Sequence, residues 1–397
     1  MEIIKENVSG HYNFPDSAGI VKTQFYTFGQ SPVGLMLENG EKIGPVTVAY
    51  ETYGSLNDSG SNAILIFHAL SGDAHAAGYN SPEDKKPGWW DMMIGPGKPF
   101  DTRKYFIICS NILGGCKGTT GPYSINPATG SPYGLSFPEI TIRDMIKVQH
   151  KLVSHLGVEK LLCVAGGSMG GMLALQWIVD YPELSDSAII IATAPSHSAQ
   201  EIAFNSIGRY SIISDLNWNC GNYYNGARPE TGLSIARMIG HVTYISEEAM
   251  HKKFGRNISL KSGLDGTSNN ECGHARDFTK EFEVESYLKY QGESFIKRFD
   301  ANSYLYITKA IDKFDITDGY ENLADAMSRV RAKCFIISFT SDWLYPKEQS
   351  LKIVKALKIN GVETVYTNFE SPYGHDAFLI EDERFKKIIE GFLKSLH

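Results

Sequence analysis

"LLCVAGGSMGGMLALQW", residues 161–177, sets an apolar run against four glycines grouped around one serine. The cluster has two physical readings: a serine nucleophile lifted at a strand-to-helix turn, or a glycine loop that cradles a phosphate. A phosphate loop needs Lys and then Ser or Thr after its glycines, but Met172 and Leu173 follow here. A dinucleotide fold needs an acid closing the next strand, but "SAIIIATAPS" (187–196) closes on Ala, Thr, Ala and Pro. What remains is G-x-S-x-G at Gly166–Gly170, where small residues relieve the crowding of a tight turn. This predicts an elbow presenting Ser168, with the strand closing at Val164 and a helix running on through Met172–Trp177.

Outward from the elbow, further short runs read as buried strands: "AILIFHAL" (63–70), "YFIICSNIL" (105–113), "SAIIIATA" (187–194), "CFIISFT" (334–340) and "ETVYTNF" (363–369). They are rich in Ile, Val, Phe and Cys without strict alternation, as expected where helices cover both faces of a parallel sheet. "TIRDMIKVQHKLVSHLG" (141–157) has helical period, with Ile142, Met145, Ile146, Val148, Leu152 and Val153 on one broad face and Gly157 as the stop. The fold class is therefore α/β, a mostly parallel, doubly wound sheet. "GLMLENGEKIGPVTVAYETYG" (34–54) alternates about an Asn-Gly turn and predicts antiparallel strands on the sheet edge. For about 140 residues after the run at 187–194 no buried strand is apparent, and a polar loop, "GLDGTSNNECGHARD" (263–277), lies within. A connection that long is rarely structureless, so residues 196–325 are expected to form a helical lid domain inserted in a core of 1–195 and 326–397.

Composition narrows the class. A chain of 397 residues with 42% hydrophobic and 21% charged residues is ordinary for a globular enzyme. Its net charge is −7 without a block of Lys or Arg, which argues against nucleic acid as a partner. The start, "MEIIKENVSGHYNFPDSAG" (1–19), lacks a signal-peptide pattern, and no run approaches the ~20 apolar residues of a membrane span, so a cytoplasmic location is expected. Cysteines 109, 116, 163, 220, 272 and 334 show no C-x-x-C spacing and are expected to be reduced thiols without a zinc site.

An elbow of this kind requires an acid and then a histidine, each just past a later strand. "CFIISFT" runs into "SDWLYP", which puts Asp342 at the carboxyl edge of the sheet; the last strand gives way to "ESPYGHDAFL", with His375 in its loop. The other histidine beyond Asp342 is the terminal His397, so His375 is the candidate base by elimination as well as by position. A serine hydroxyl is a weak nucleophile at neutral pH; His375 would take its proton and Asp342 would hold the imidazole. Backbone N–H groups of Met169 and of Leu70, in "FHALSGDAH" (67–75), are the candidate oxyanion donors. The rival reading of His68, Asp73 and His75 as metal ligands lacks a further ligand cluster. Taken singly, Ser168, Asp342 and His375 would each read as a turn residue, a cap and a loop histidine; the order of the three is what carries the argument.

Taken together, "FHALSGDAH", "NILGGCKGTTGP" (111–122), "GGSMGGMLALQW" (166–177), "ARMIGHVTYIS" (236–246), "YQGESFIKRFDANSYLYITKAID" (290–312), "FTSDWLYP" (339–346) and "SPYGHDAF" (371–378) make the chain resemble the homoserine O-acetyltransferase family. The resemblance implies an α/β-hydrolase fold with an inserted helical lid and a ping-pong transfer of acetyl from acetyl-CoA to Ser168 and then to L-homoserine, giving O-acetylhomoserine for methionine synthesis. It further implies that Arg237 and Asp376 bind homoserine, and a fork-shaped cation for the carboxylate with an anion for the ammonium makes chemical sense. Coenzyme A then acts as a co-substrate, no metal or prosthetic group is implied, and a homodimer through the lid is expected. Similar enzymes that use succinyl-CoA tend to carry an arginine where this chain has Leu344, and an apolar side chain there favours acetyl. Lys117 remains a cation that could serve succinyl instead. The residues leave open an L-serine acceptor, which differs by one methylene, and a serine esterase or thioesterase, which shares the triad. A binding protein on the same fold is disfavoured because no triad member is missing.

Overall fold

The apolar runs become strands, most of them covered on both faces; the run at 363–369, expected to be buried, is half-exposed because it forms the last strand of the sheet. The computed structural model describes residues 16–30, 32–259 and 282–396; the loop at 263–277, Cys272 and the first fifteen residues of the amino-terminal stretch lie outside these. Strands β1 (Gln24–Phe28), β2 (Val46–Tyr53), β3 (Ala63–Phe67), β4 (Phe106–Ser110), β5 (Cys163–Gly167), β6 (Ser187–Ile191), β7 (Lys333–Phe339) and β8 (Thr364–Phe369) form one sheet. Their spatial order is β1-β2-β4-β3-β5-β6-β7-β8. β2 is antiparallel to both neighbours, and every other pairing is parallel. Successive residues feed opposite sides: Ala63, Leu65 and Phe67 join one apolar cluster, while Ile64 and Ile66 join a second with Trp90, Phe100 and Phe385. The expected α/β class is the observed one.

The edge differs in detail from expectation. The Asn-Gly turn joins two short strands, Leu35–Met36 and Lys42–Ile43, but these form a separate two-stranded ribbon rather than part of the main sheet. Only Val46–Tyr53 enters the large sheet, and it lies second, because β1 pairs outside it from Gln24↔Tyr50 to Phe28↔Val46.

Helix α1 (Ile142–His155) buries all six of the predicted apolar positions and starts at a capping box in which Thr141 and Asp144 satisfy each other's backbone amides. Between β6 and β7 the described residues add no strand to the sheet. They form α3 (Ala199–Ile213), α4 (Glu230–Tyr244), α5 (Glu247–Phe254), α6 (Glu283–Ile296), α7 (Ala301–Lys313) and the short α8 (Leu323–Met327). α4 packs against α3 and α6, and α8 packs on α9 (Lys347–Ile359). Among the described residues no helix is long and apolar enough to cross a membrane.

Candidate active site

The turn after β5 is shaped by close approach. Ser168 has φ 60° and ψ −124°, a left-handed conformation that costs a non-glycine residue energy and must be held by its surroundings. The holding bonds are present. Ser168 N–H donates to Ile191 O at 3.0 Å, and Ser168 O accepts from Thr193 Oγ1 at 2.8 Å and from the amides of Gly171 and Met172 at 2.9 and 3.1 Å. A Cβ on Gly166 would lie 2.3 Å from Gly170 O, and one on Gly170 would lie 2.2 Å from Phe67 O. Both sites therefore need glycine because other backbone occupies the space. The strand runs to Gly167, three residues beyond the expected stop at Val164, and α2 (Met169–Asp180) starts immediately after the serine. The glycines allow this: without side chains they can pair in the ladder and still admit the turn.

Asp342 and His375 come from loops that are tied to each other. Ser341 Oγ donates to Ser371 O at 2.5 Å and accepts from Gly374 N–H at 2.9 Å, which ties the segments following β7 and β8 together. His375 Nδ1 lies 2.9 Å from Asp342 Oδ2, with both side chains almost wholly buried. The other oxygen, Asp342 Oδ1, accepts the amides of Leu344 and Tyr345 at 3.0 and 2.9 Å, which leaves Oδ2 facing the ring. Burial works against a charged imidazole, but the Asp342 carboxylate beside it, with Asp376 and Glu201 farther off, outweighs burial and raises the His375 pKa above 6.5. Among the described residues Ser168 Oγ makes no hydrogen bond, and it is partly exposed. In unliganded sites such contacts often tighten only when substrate binds.

A narrow cleft of about 40 Å³ opens over Ser168, walled among others by Leu70, Tyr244, Tyr304, Leu344 and Tyr345. His375 adjoins this wall through Tyr244 and Tyr345, whose ring centroids lie 5.8 and 5.1 Å from its own. The amides of Leu70 and Met169 have no acceptor among the described residues. Met169 N–H opens α2, where the first amides have no partner within the helix.

Arg237 and Asp376 do not wall this cavity. They are linked to it through intermediates. Arg237 Nη1 reaches Ser71 Oγ, next to Leu70, at 3.4 Å, and its guanidinium lies 4.8 Å from the Phe295 ring centroid and 5.9 Å from that of Tyr244. Among the described residues no carboxylate lies within 4.0 Å of Arg237. The field of Arg237 is nonetheless felt at Asp376, where burial raises the carboxyl pKa and His375 and Arg237 partly offset that rise. Tyr244 and Tyr287 sense both charges, so the two residues share one neighbourhood.

His68, Asp73 and His75 have local roles. His68 Nδ1 pairs with Ala69 O at 2.7 Å, His75 Nδ1 with the buried Glu51 at 2.9 Å, and Asp73 Oδ1 accepts the His75 amide at 3.0 Å. Lys117 lies on a different opening from the one over Ser168. A buried network went unseen in the sequence. His197 Nε2 meets Tyr345 OH at 2.5 Å, its Nδ1 lies 3.0 Å from Asp312, and Arg209 Nη2 lies 2.7 Å from the same carboxylate. It joins α3 and α7 to the loop that carries Asp342. Next to His197 a local signal is legible: "SAQE" (198–201) has the capping-box pattern, and Ser198 and Glu201 form that box at the start of α3.

A strand-to-helix serine over the carboxyl edge of this sheet, with an acid-paired histidine beyond the last strand, defines an α/β hydrolase, and residues 62–382 match the alpha/beta hydrolase fold family. The chain is 56% identical over 377 residues to a homoserine O-acetyltransferase of Methanohalobium evestigatum, covering 95% of this chain and 74% of that one. It therefore belongs to the homoserine O-acetyltransferase family. Among solved structures it matches a homoserine O-acetyltransferase from Bacillus anthracis, with a TM-score of 0.85, 33% identity and coverage of 94% and 98%. It also matches esterase E22, with a TM-score of 0.83, 30% identity and coverage of 94% and 100%.

Proposed function

We propose that the protein transfers an acetyl group from acetyl-CoA to the hydroxyl of L-homoserine through an acyl-serine on Ser168, forming O-acetyl-L-homoserine for methionine synthesis. In the first half-reaction Ser168 Oγ attacks the thioester carbonyl while His375 Nε2 takes its proton. Leu70 and Met169 N–H groups stabilise the tetrahedral oxyanion, and the imidazolium returns the proton as the thiolate of CoA leaves. In the second, the homoserine hydroxyl gives its proton to His375 and attacks the acyl-serine; collapse restores Ser168 and releases the ester. Asp342 fixes the imidazole so that Nε2 faces the serine. Arg237 binds the carboxylate of homoserine and Asp376 its ammonium.

The observation that supports this reading is an acid-paired His375, on the sheet edge that also carries the elbow Ser168, together with Arg237, a cation that no carboxylate neutralises among the described residues. An esterase needs the triad alone. The similarity to esterase E22 makes hydrolysis the alternative that the experiment must separate. Purified protein with acetyl-CoA or succinyl-CoA, with and without L-homoserine or L-serine, should release thiol beyond one equivalent per site and form O-acetylhomoserine only with the acetyl donor and homoserine. Thiol release that ignores the amino acid and yields free acetate would replace the transferase with a hydrolase.

The segment 196–325 is read as a lid domain that also forms a homodimer in the cytoplasm. Apolar side chains on one outward stretch support this: Tyr210 is 73% and Leu216 97% exposed, with Ile207 and Ile213 beside them. Light scattering should give a dimer that Leu216→Asp with Tyr210→Asp converts to monomer; a monomeric parent protein would refute it.

A further inference from the structure

We infer that a basic pocket between the loop at Cys116–Tyr123 and the corner joining α6 to α7 seats the phosphates of the nucleotide portion of the acyl donor. The inference rests on the acetyl-CoA reading above and adds a site to it. The pocket is open to solvent and holds about 370 Å³, and Lys117, Arg228, Lys297 and Arg298 stand on its walls. All four are exposed, and none has a carboxylate within 4.0 Å among the described residues. The one acid on the walls, Asp300, is buried and already engaged: it accepts from Tyr223 OH at 2.6 Å, Tyr224 OH at 3.2 Å and Ser303 N–H at 2.8 Å. Four unpaired cations around one opening, on a chain of net charge −7, form a local field suited to a polyanion.

The pocket is joined to the reacting centre. Arg298 Nη1 donates to Ser71 O at 2.9 Å, one residue beyond the proposed oxyanion donor Leu70. Phe295 packs against both Arg298 and Arg237, with guanidinium-to-centroid distances of 5.2 and 4.8 Å. Arg228 Nη2 donates to Phe299 O at 3.0 Å, which holds that fork at the rim while other N–H groups stay free for a ligand. A donor with a diphosphate and a ribose phosphate would anchor its charge here and extend its neutral thioester arm past Ser71 towards Ser168. Guanidinium forks and lysine ammonium groups are the donors that such phosphates use.

The test compares acetyl-CoA with S-acetylpantetheine, which carries the same thioester without the nucleotide, both with homoserine as acceptor. Lys117→Glu combined with Lys297→Glu should raise KM for acetyl-CoA by roughly tenfold while the KM for S-acetylpantetheine holds, because only the former places phosphates against the reversed charges. In the unsubstituted protein, raising salt from about 0.05 to 0.5 M should raise KM for acetyl-CoA more than for the truncated donor. That comparison decides the matter if the double variant does not fold. A rise of equal size with both donors, or none with either, overturns the pocket while leaving the acyltransferase reading intact. Absence of any transfer from acetyl-CoA by the unsubstituted protein removes that reading and the pocket with it.

Discussion

Replacing Arg237 separates the two half-reactions. Its guanidinium packs on Phe295 and touches Ser71 Oγ, and among the described residues it has no ion-pair partner to strand when it is removed. The cost to the fold of Arg237→Ala is therefore a cation–π contact and some packing, about 1 kcal/mol. The cost to homoserine is larger. Losing one partner of a desolvated carboxylate–guanidinium pair costs about 2–5 kcal/mol, or roughly 30-fold to several thousand-fold in kcat/KM for homoserine. The acetyl donor has no carboxylate to lose, so formation of the acetyl-enzyme should slow by less than about threefold. Rapid-mixing kinetics give both numbers: a burst of CoA thiol release without acceptor, then decay of the acyl-enzyme on adding homoserine. Arg237→Lys keeps the charge but not the fork and should fall between. Equal losses in acylation and transfer would refute the assignment and make Arg237 a structural residue.

The rate should depend on neutral His375, so the acid limb of kcat/KM for acetyl-CoA should have its midpoint above the ordinary 6.5 of a histidine. Asp342→Asn should move that limb to lower pH and cut kcat roughly 10³–10⁴-fold; an unmoved limb would sever the pair. The same raised pKa has a sign for stability: protonated His375 favours the fold below pH 6.5, and that contribution disappears as pH rises through the folded-state value. Gly170→Ala would drive a Cβ to 2.2 Å from Phe67 O, and since backbone cannot yield cheaply the urea midpoint should fall by the equivalent of about 1–3 kcal/mol or more, an unchanged midpoint contradicting the packing. Asp312→Ala leaves Arg209 and His197 facing each other without their shared anion and should destabilise by about 3–5 kcal/mol, whereas a neutral effect on unfolding would show the network to be slack.

What the sequence revealed depended on how local the signal was. The strands that hold Ser168 and Asp342 at their ends are buried on both faces like their neighbours "AILIF" and "SAIII", and continuous apolar runs announce that. Strand β8, which precedes His375, is instead the last strand of the sheet with Val365 44% exposed, so the apolar look of "ETVYTNF" overstates its burial. Strand β1, "QFYTF", was not readable because it is an exposed edge, with Phe25 61% accessible, and its pairing with β2 is made by backbone. The strand outlasts the expected stop at Val164 because glycines carry a turn signal, whereas Gly166 and Gly167 are strand residues whose missing side chains admit Gly170 and Phe378. The His197–Asp312 contact spans 115 positions and has no local period to betray it. The link from Arg298 to Ser71, 227 positions away, likewise has no local signal.

The central claim is that acyl transfer passes through Ser168. Brief incubation with acetyl-CoA, acid quench and peptide mass analysis should show one acetyl group on the peptide containing Ser168. It should vanish on a chase with L-homoserine as O-acetylhomoserine appears in equal amount, and it should be absent in Ser168→Ala. Product formed by Ser168→Ala at the parent rate, or an acetyl group carried on another residue that the chase consumes, would contradict the account.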